Sequence, residues 1–287
     1  MRVAYLGPQG TFSEQALLSS VPAEDVRPVA VSSIYDAVMA VQSEAVELAL
    51  VPIENSVEGS VTVTLDALTA DAVEVIIVGE LVLAVHHALI ALRDVAVERI
   101  QTVLTHPQVP GQCTRLLRSE LAHARVLAAS STAEAVRLVV ERQDPTVAAI
   151  ATSLAAEIYG AEVLREAVED RDDNQTRFVW LARSGSGISS APLRDGQDTN
   201  AQIKTSLVFW GAGAQRSGWL VRCLDEFARR EINLSKIESR PQRERLGSYM
   251  FFLDLQGSSE DQAVADAIEG LDAFCEQVRI LGSYAAV

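Results

Sequence analysis

The sequence predicts an α/β protein in which two lobes of strands and helices are followed by a smaller βαββαβ unit. Three observations lead to this prediction. Short apolar runs alternate with helix-like segments over the first 183 residues, in two successive blocks. A stretch rich in Gly, Ser and polar residues, 184–202, then interrupts the pattern. The segments after it follow the strand and helix order of a ferredoxin-like fold.

The first block is typical of a βαβαβ unit. Arg2–Leu6 is a short apolar run that a Gly-Pro turn ends, and "TFSE" then fits a capping box with Thr11 as the N-cap. "RPVAV" and "ELALVPI" are the next strands, with the helix "SSIYDAVMAVQ" between them. Strands joined through helices form a parallel sheet, and ligands bind at the carboxyl ends of its strands.

The second block repeats this pattern. "VEVIIVGELVLAVHHALIAL" predicts two strands that cross into a second lobe, where "IQTVLTH", "ARVLAAS" and "TVAAIAT" are further strands, each followed by a helical segment. We expect lobe one at about residues 1–79 and 168–183, and lobe two at about residues 80–167. Two lobes joined by two crossings enclose a cleft, the usual place for a small-molecule site.

The final block begins after the predicted linker, residues 184–202. Residues 203–287 read as strand, helix, strand, strand, helix and strand. This unit contains few side chains suited to catalysis, so we expect a regulatory or oligomerising module.

The composition of the chain argues against several classes of function. The chain has 287 residues, of which 48% are hydrophobic, and its net charge of −15 argues against nucleic acid and anionic membrane as partners. Cys113, Cys223 and Cys275 are far apart in the sequence, without metal-ligand spacing or a disulfide framework. No signal peptide and no apolar run long enough to span a bilayer is present, so we expect a cytoplasmic protein.

Four polar clusters lie where predicted strands end or helices begin: "GPQGTFS", "ENSVEGS", "THPQVPGQC" and "NQTRF". A helix N-terminus in the first offers free amides that suit a carboxylate. In an extended "NQTRF", Thr176 and Phe178 face one side and Arg177 the other. Each cluster also has an ordinary structural explanation, namely a capped helix, a turn, a structural histidine or a β-forming threonine.

Taken in order, several segments resemble one family. "GPQGTFSE", "VPIENSVEGSV", "THPQVPGQC", "SSTAEA", "NQTRF" and "INLSKIESRP" are similar to the signature segments of prephenate dehydratases, which make phenylpyruvate on the route to phenylalanine. The resemblance covers nearly the whole chain. It implies a two-lobed catalytic region resembling type II periplasmic binding proteins, and then a ferredoxin-like ACT domain that binds phenylalanine. Because no chorismate mutase helix bundle precedes the first strand, the monofunctional form is expected.

The resemblance also implies roles for individual residues. Prephenate loses carbon dioxide and hydroxide, and aromatisation drives both losses, so no metal or other cofactor is expected. Thr176 matches the threonine that the family uses to assist the departing hydroxide, and Glu54, if protonated, is the second choice. The side-chain carboxylate of the substrate would be held by helix-end amides and hydroxyls. The substrate-binding residues expected from these segments are Thr11, Ser13, Asn55, Ser56, His106, Gln112, Ser131, Thr132, Arg177 and Phe178.

Two alternatives stay open from the sequence. Arogenate, which carries an amine where prephenate has a keto group, is an alternative substrate. A non-catalytic amino-acid sensor built from the lobes and the ACT domain is an alternative function, and the intact "NQTRF" and "ENS" segments argue against it.

The effector site is expected where the ACT domains of two subunits pair, which requires a homodimer or homotetramer. Its residues would be Glu238, Ser239, Arg240 and Pro241, with Gly218, Trp219 and Leu220 at a helix start. Glu238 and Arg240 would share a strand face, and a solvated surface pair is the ordinary alternative. Relatives have Pro-Gly-Ala-Leu where this chain has "RSGWL", after a longer "GAGAQ" loop. Trp219 therefore either roofs the effector pocket or fills it.

Overall fold

The computed structural model describes residues 1–22, 24–192, 202–211, 213, 216–242 and 247–287. Their strands form three sheets. Part of the predicted linker, residues 193–201, lies outside the described residues, as do Ala212, Ala214 and Gln215 of the "GAGAQ" loop.

Lobe one is built on the first sheet, with strand order β2-β1-β3-β11-β5 and the short β4 paired to β3. β1, β2 and β3 are parallel, as predicted, whereas β11 runs antiparallel to both of its neighbours. Its elements are β1 (Arg2–Leu6), α1 (Phe12–Ser20), β2 (Arg27–Val31), α2 (Ile34–Gln42), β3 (Leu48–Asn55), β4 (Gly59–Ser60), α3 (Thr62–Ala70), β5 (Val75–Ala84) and β11 (Gln175–Arg183).

Both faces of this sheet are buried, so alternate residues of one strand enter different hydrophobic clusters. On β11, Phe178 and Trp180 pack on the side of α1, while Val179 and Leu181 pack on the side of α2 and α3. The strand therefore has two faces with different neighbours, which matters for Thr176 and Arg177 at its start.

Lobe two is built on the second sheet, with strand order β10-β6-β9-β7-β8. Its elements are β6 (Ala88–Ala91), β7 (Thr102–Thr105), α4 (Thr114–Ser119), β8 (Arg125–Ala128), α5 (Thr132–Arg142), β9 (Val147–Ala151), α6 (Ser153–Tyr159) and β10 (Glu162–Arg165). The connections to lobe one are residues 85–87 and residues 166–174.

These connections differ from the expected boundaries. β5 stays in the first sheet through Ala84, because it pairs with β11 along its whole length, so the chain crosses after residue 84 rather than near residue 80. The sequence pattern also missed α3 and β10. β10 pairs with β6 in lobe two, so the chain crosses back to lobe one only after it, near the expected boundary at residue 167.

The C-terminal unit, residues 203–287, has the predicted βαββαβ order and an antiparallel sheet with strand order β13-β14-β12-β15. Helices α7 and α8 cover one face through a core that contains Phe209, Phe227 and Leu253. Its elements are β12 (Ile203–Trp210), α7 (Trp219–Ala228), β13 (Leu234–Pro241), β14 (Tyr249–Gln256), α8 (Gln262–Leu271) and β15 (Gln277–Ala285).

The other face of this sheet packs on lobe one. Val208, Phe252 and Tyr284 share one buried cluster with Ile77 and Leu181 of lobe one. The approach is so close that a Cβ atom at Gly282 would overlap the carbonyl oxygen of Ile77. The C-terminal unit is thus continuous with the core of lobe one.

Two cysteines that are far apart in the sequence lie close together in the structure. Cys223 on α7 and Cys275 after α8 lie with their sulfur atoms 3.9 Å apart, although both are free thiols. Within the described ranges, no cluster of His, Cys, Asp and Glu could hold a metal ion, and no helix is long and apolar enough to cross a membrane.

Candidate active site

A cleft of about 1040 Å³ lies between the two lobes, and residues of both lobes line it. Of the residues that the sequence predicted, the structure brings eight together here: Thr11, Ser13, Asn55, His106, Gln112, Ser131, Thr132 and Thr176, with Phe178 beneath them. Phe178 is almost fully buried and, as alternation predicted, lies on the same face of β11 as Thr176. Three other predicted residues, Glu54, Ser56 and Arg177, do not line the cleft.

The N-terminus of α1 opens into the cleft from lobe one. Thr11 is its N-cap, with the backbone N–H of Glu14 directed at the Thr11 hydroxyl at 3.4 Å, and the hydroxyl donates to the carbonyl of Leu6 at 2.8 Å. The buried Glu14 carboxylate accepts from the backbone N–H of Gly10 and from the Tyr5 hydroxyl. Burial, and then the Glu14 carboxylate, raise the pKa of Tyr5 above its usual range. The helix start is held rigidly.

The N-terminus of α5 opens into the cleft from lobe two. Ser131 caps it by accepting from the backbone N–H of Glu134 at 3.0 Å, and Thr132 is the first helical residue. Two helix N-termini of opposite lobes therefore face one cavity, and each has free N–H groups and the positive end of a helix dipole.

Among the cleft-lining residues of the described chain there is no Lys and no Arg. The two carboxylates present are Glu58 and Glu134. Both oxygens of Glu134 are bound by Arg137, which lowers the pKa of Glu134. Glu58 accepts from the side chain of Gln108 at 3.1 Å, a hydrogen bond that spans the cleft mouth from lobe one to lobe two.

The orientation of the Asn55 amide is set by the backbone. Its Oδ1 accepts from the N–H groups of Val57 and Glu58, both at 2.9 Å. Its Nδ2 must then point the other way, where it donates to Thr176 Oγ1 and to Asn174 Oδ1, both at 2.9 Å. Because the Thr176 oxygen already accepts one hydrogen bond, its own proton is free to point into the cleft.

The same order of hydrogen-bond donors and acceptors continues into lobe two. With Asn174 Oδ1 occupied, its Nδ2 donates to Gln112 Oε1 at 3.1 Å, and the Nε2 atom of His87 lies 3.0 Å from that oxygen. His87 therefore carries its proton on Nε2, and the amide nitrogen of Gln112 remains available to a ligand. Sequence reasoning missed Asn174 and His87. Asn174 directly precedes "QTRF" and could have been predicted from the sequence, whereas no sequence pattern singled out His87.

His87 is buried and stays neutral. Desolvation is the main reason that its pKa lies below the usual 6.5, and the Gln112 hydrogen bond and Glu169 only partly oppose it. Its Nδ1 atom has no hydrogen-bond partner within the part of the chain that the structure describes. The ring of Phe12 meets the His87 ring edge-on, with 5.3 Å between centroids.

Glu54 and Arg177 lie on the opposite side of the sheet from the cleft. They are register partners on β3 and β11, as Asn55 and Thr176 are, so each pair points to its own face. The Glu54 carboxylate lies 3.2 Å from Arg177 and 3.2 Å from Lys236 of the C-terminal unit. The expectation of Glu54 as a proton donor is corrected here, because two cations hold the carboxylate away from the cleft.

Arg177 is not a substrate ligand in this structure. Its guanidinium is 13% exposed and lies 3.1 Å from Glu80 and 2.7 Å from Asp254 of the C-terminal unit. Nη1 of Arg177 donates a hydrogen bond to Glu80. The contact with Asp254 rests on charge more than direction, because Asp254 Oδ2 lacks a well-aligned hydrogen bond, as do Nε and Nη2 of Arg177 among the described residues. The expectation that Arg177 points away from Phe178 and Thr176 agrees with the structure.

Ser56 has a structural role instead of the expected place in the cleft. Its hydroxyl accepts from the backbone N–H of Gln175 at 2.9 Å, and its own N–H donates to the carbonyl of Gln175 at 2.9 Å. Ser56 thus fastens the end of β3 to the start of β11. His106 does line the cleft, at its mouth beside Gln108.

The expected effector residues do not converge within one chain. Glu238 and Arg240 share a face of β13, as predicted, but that face contacts lobe one: Glu238 bonds Ser60, and Arg240 binds Asp66 at 2.7 Å. The ordinary alternative, a solvated surface pair, is therefore wrong. Ser239, on the opposite face, and Pro241, at the end of β13, are exposed.

Gly218, Trp219 and Leu220 form the start of α7 on that other face. Gly218 adopts a left-handed conformation before the helix, and Leu220 is partly buried. Trp219 is only 3% exposed, contacts Phe209 and Phe251, and donates from Nε1 to the carbonyl of Phe274 at 2.7 Å. The ring packs in the core of its own domain, and whether it roofs or fills the effector pocket stays a prediction.

Comparisons with known proteins agree with this architecture. The chain matches the family model described as prephenate dehydratase over residues 3–186. A prephenate dehydratase of Mycobacterium sp. (strain JLS) is 41% identical over 295 residues, covering 99% of this chain and 88% of that protein.

Two solved structures match over the full chain. A prephenate dehydratase from Arthrobacter aurescens, in complex with L-Phe, has a TM-score of 0.86 and 37% identity, with 100% of this chain and 90% of that chain covered. GqqA, described as a novel type of quorum quenching acylase, also has a TM-score of 0.86, at 27% identity, with 100% and 98% covered. The family model covers residues 3–186, the relatives extend over nearly the whole length, and the chain belongs to the prephenate dehydratase family.

Proposed function

We propose that this protein converts prephenate into phenylpyruvate, carbon dioxide and water, with Thr176 as the donor to the departing hydroxide. The observation that carries this proposal is the fixed polarity of Asn55. Since Asn55 donates to Thr176 Oγ1, the threonine proton is free to point into the cleft. A well-placed neutral donor stabilises an oxygen on which negative charge develops.

In the reaction, the bond between the ring and its carboxylate breaks, and the electron pair enters the ring. The bond between the opposite carbon and its hydroxyl breaks at the same time or afterwards, and the oxygen leaves as water once it has taken up a proton. A threonine is a weak acid, so Thr176 acts as a hydrogen-bond donor to the departing oxygen and solvent completes the protonation.

The absence of Lys and Arg from the described cleft lining supports this chemistry. A cation bound to the ring carboxylate would stabilise the ground state, because that charge disappears when carbon dioxide leaves. The side-chain carboxylate keeps its charge throughout. We place it at the free amides of α1 and α5, near Thr11 and Ser13 on one side and Ser131 and Thr132 on the other.

The amide nitrogen of Gln112 is a further donor for the substrate, since both hydrogen bonds to its oxygen come from protein groups. Phe178 packs below the place that we assign to the substrate ring, and His106 lies at the mouth of the cleft. Metal and organic cofactors have no part in this proposal, which places the protein in the cytoplasm as a biosynthetic lyase.

An acylase activity, by analogy with GqqA, is not favoured by the site. In the common acyl-transfer site, a histidine hydrogen-bonded to a serine, threonine or cysteine activates that nucleophile. Within the described ranges, His87 and His86 bond Gln112 and Glu169, and His106 contacts a backbone N–H. No nucleophile–histidine pair is formed among these residues.

The test is turnover by the purified protein with prephenate and, separately, with arogenate, with and without a chelator. We expect phenylpyruvate from prephenate at equal rates in both buffers. Faster turnover of arogenate would identify the amine-bearing substrate instead, and no turnover of either would favour the amino-acid sensor. Full loss of activity with chelator, restored by a metal ion, would contradict the cofactor-free proposal.

We propose further that phenylalanine binds at the C-terminal unit and inhibits. The relative from Arthrobacter aurescens was solved with L-Phe, and the free amides at the start of α7 suit its carboxylate. Because Ser239 and Gly218 lie on one face of the sheet and Glu238 on the other, a complete site requires a second subunit. The exposed edge strand β13, with Ile237 half exposed, is the surface that we propose for pairing in a homodimer or homotetramer.

Light scattering after size exclusion tests the assembly, and isothermal titration with phenylalanine tests binding. We expect a dimer or tetramer and a coupling of about 1–3 kcal/mol between phenylalanine and substrate. Trp219→Phe is the informative variant, because it keeps an aromatic core residue and removes the hydrogen bond to Phe274. A monomer with no phenylalanine binding at millimolar concentration would show that this control is missing.

A further inference from the structure

Two thiols of the C-terminal unit lie in van der Waals contact. Cys223 is in the second turn of α7 and fully buried, whereas Cys275 follows α8 and is partly exposed, and their sulfur atoms are 3.9 Å apart. The same two segments are joined by two further contacts. Trp219 donates to the carbonyl of Phe274, and the Arg222 guanidinium lies over the Phe274 ring at 5.9 Å.

These contacts hold the sulfur atoms together on a common framework. A disulfide has a sulfur–sulfur distance of about 2.05 Å, so the atoms must approach by about 2 Å. Cys223 lies within α7, and Cys275 lies in the connection between α8 and β15. By contrast, Cys113 is buried in the core of lobe two, away from both.

The two thiols differ in their access to solvent. Cys223 is fully buried, whereas Cys275 is partly exposed. Either sulfur can donate the hydrogen bond between them. A peroxide in solution reaches the exposed sulfur, so Cys275 reacts first and Cys223 second.

We propose that Cys223 and Cys275 are a redox modification site that closes to a reversible disulfide on exposure to a hydroperoxide. The Cys275 thiolate attacks one oxygen of the peroxide, the oxygen–oxygen bond breaks, and a sulfenic acid and one water or alcohol result. The Cys223 sulfur then attacks the Cys275 sulfur, the sulfur–oxygen bond breaks, and water leaves. Two thiols are oxidised by two electrons, and one peroxide is reduced.

The disulfide would connect the first turns of α7 to the segment after α8. Gly218, whose following amides we propose as the phenylalanine carboxylate site, is five residues before Cys223. Drawing α7 toward Cys275 displaces those amides, so we expect the oxidised protein to bind phenylalanine at least threefold more weakly. This consequence rests on the proposed regulation, while the disulfide itself does not.

The experiment treats the full-length protein with an equimolar amount of hydrogen peroxide and follows the intact mass and the thiol count after denaturation. We expect loss of two hydrogen atoms, a fall from three thiols to one, and a peptide map that joins Cys223 to Cys275. Dithiothreitol should restore the starting mass. Cys113→Ser is the matched control and should still form the disulfide, whereas Cys223→Ser and Cys275→Ser should not.

Three outcomes would overturn the proposal: gain of oxygen atoms without a disulfide, a disulfide that includes Cys113, or covalent dimers in place of an intramolecular bond. Titration with phenylalanine is run on the reduced and oxidised forms. If the reduced form does not bind, the proposed regulation fails, and the mass and thiol data still decide the disulfide. If both forms bind equally, the disulfide has no regulatory effect and that consequence is wrong.

Discussion

The two faces of β11 differ sharply in charge. Toward the cleft, Thr176 and Phe178 are neutral, and the hydrogen bonds around them come from amides. Away from the cleft, Arg177 lies among Glu54, Glu80 and Asp254. One residue along the strand therefore separates the proposed chemistry from a cluster of ions.

This difference explains how a chain with a net charge of −15 can bind an anionic substrate. Charges that join the domains are placed behind the sheet, where a fixed cation cannot bind the ring carboxylate. Donors in front are dipoles and hydroxyls, which stabilise charge without a strong ground-state ion pair. The following predictions test the two faces separately, beginning with the largest effect.

Thr176→Ala should lower kcat by about 10² or more with little change in KM, because the lost hydrogen bond belongs to the transition state. Thr176→Ser keeps the hydroxyl and should retain part of the activity. Steady-state kinetics with prephenate measure both. The matched control behind the sheet is Glu54→Gln, which should stay within about threefold of wild type. Near-normal kcat for Thr176→Ala together with an inactive Glu54→Gln would reverse the assignment.

Asn55 gives the next largest effect, through the direction of the Thr176 proton. Asn55→Ala removes the hydrogen bond to Thr176 together with the other side-chain hydrogen bonds of Asn55, and should lower kcat about tenfold. Asn55→Asp should be worse than Asn55→Ala, because the carboxylate keeps the acceptors for Val57 and Glu58 but accepts the Thr176 proton instead of donating. Equal or higher activity of Asn55→Asp would contradict the polarity derived from these hydrogen bonds.

Asp254→Asn tests the charged face. It keeps the acceptor for the Ser206 hydroxyl but leaves Arg177 with fewer carboxylates in a buried place. We expect the free energy of unfolding to fall by about 1–3 kcal/mol, measured by urea denaturation, while kcat changes less than about twofold. The exposed pair of Arg137 and Glu141 is the control, and Glu141→Gln should change stability by no more than about 0.5 kcal/mol. A large loss of kcat for Asp254→Asn would show that the two faces are not independent.

The smallest effect concerns pH. The folded state holds His87 neutral with a pKa below the unfolded value of 6.5, so the unfolded state binds more protons between those two values. Stability is therefore complete above pH 6.5 and falls as the pH is lowered toward the folded pKa. Thermal unfolding between pH 7.5 and 5 should show this loss for wild type and less of it for His87→Gln, whose amide can still donate to Gln112. Equal slopes would mean that His87 is not the group responsible.

Local rules predicted much of the site. Capping boxes located Thr11 and Ser131, and alternation placed Thr176 with Phe178. Alternation also contained the signal that Glu54 and Asn55 face opposite sides, since they are neighbours on one strand. What local rules could not supply were contacts between distant segments. The bond from Gln112 to His87, the packing of Asp254 behind β11, and the contact of Cys223 with Cys275 depend on how sheets and helices come together.

The shared core of lobe one and the C-terminal unit has a mechanical consequence. Ile77 and Leu181 of lobe one are interlocked with Phe252 and Tyr284, and Gly282 lies against the backbone of β5, so sliding between these parts would open a close-packed interior. We expect both to move together as one rigid body. The remaining freedom is a hinge at residues 85–87 and 166–174, about which lobe two swings. A force applied at β13 would then be transmitted through lobe one to the cleft. The Gln108–Glu58 hydrogen bond joins the two lobes at the cleft mouth, so it would form or break as the lobes close or open.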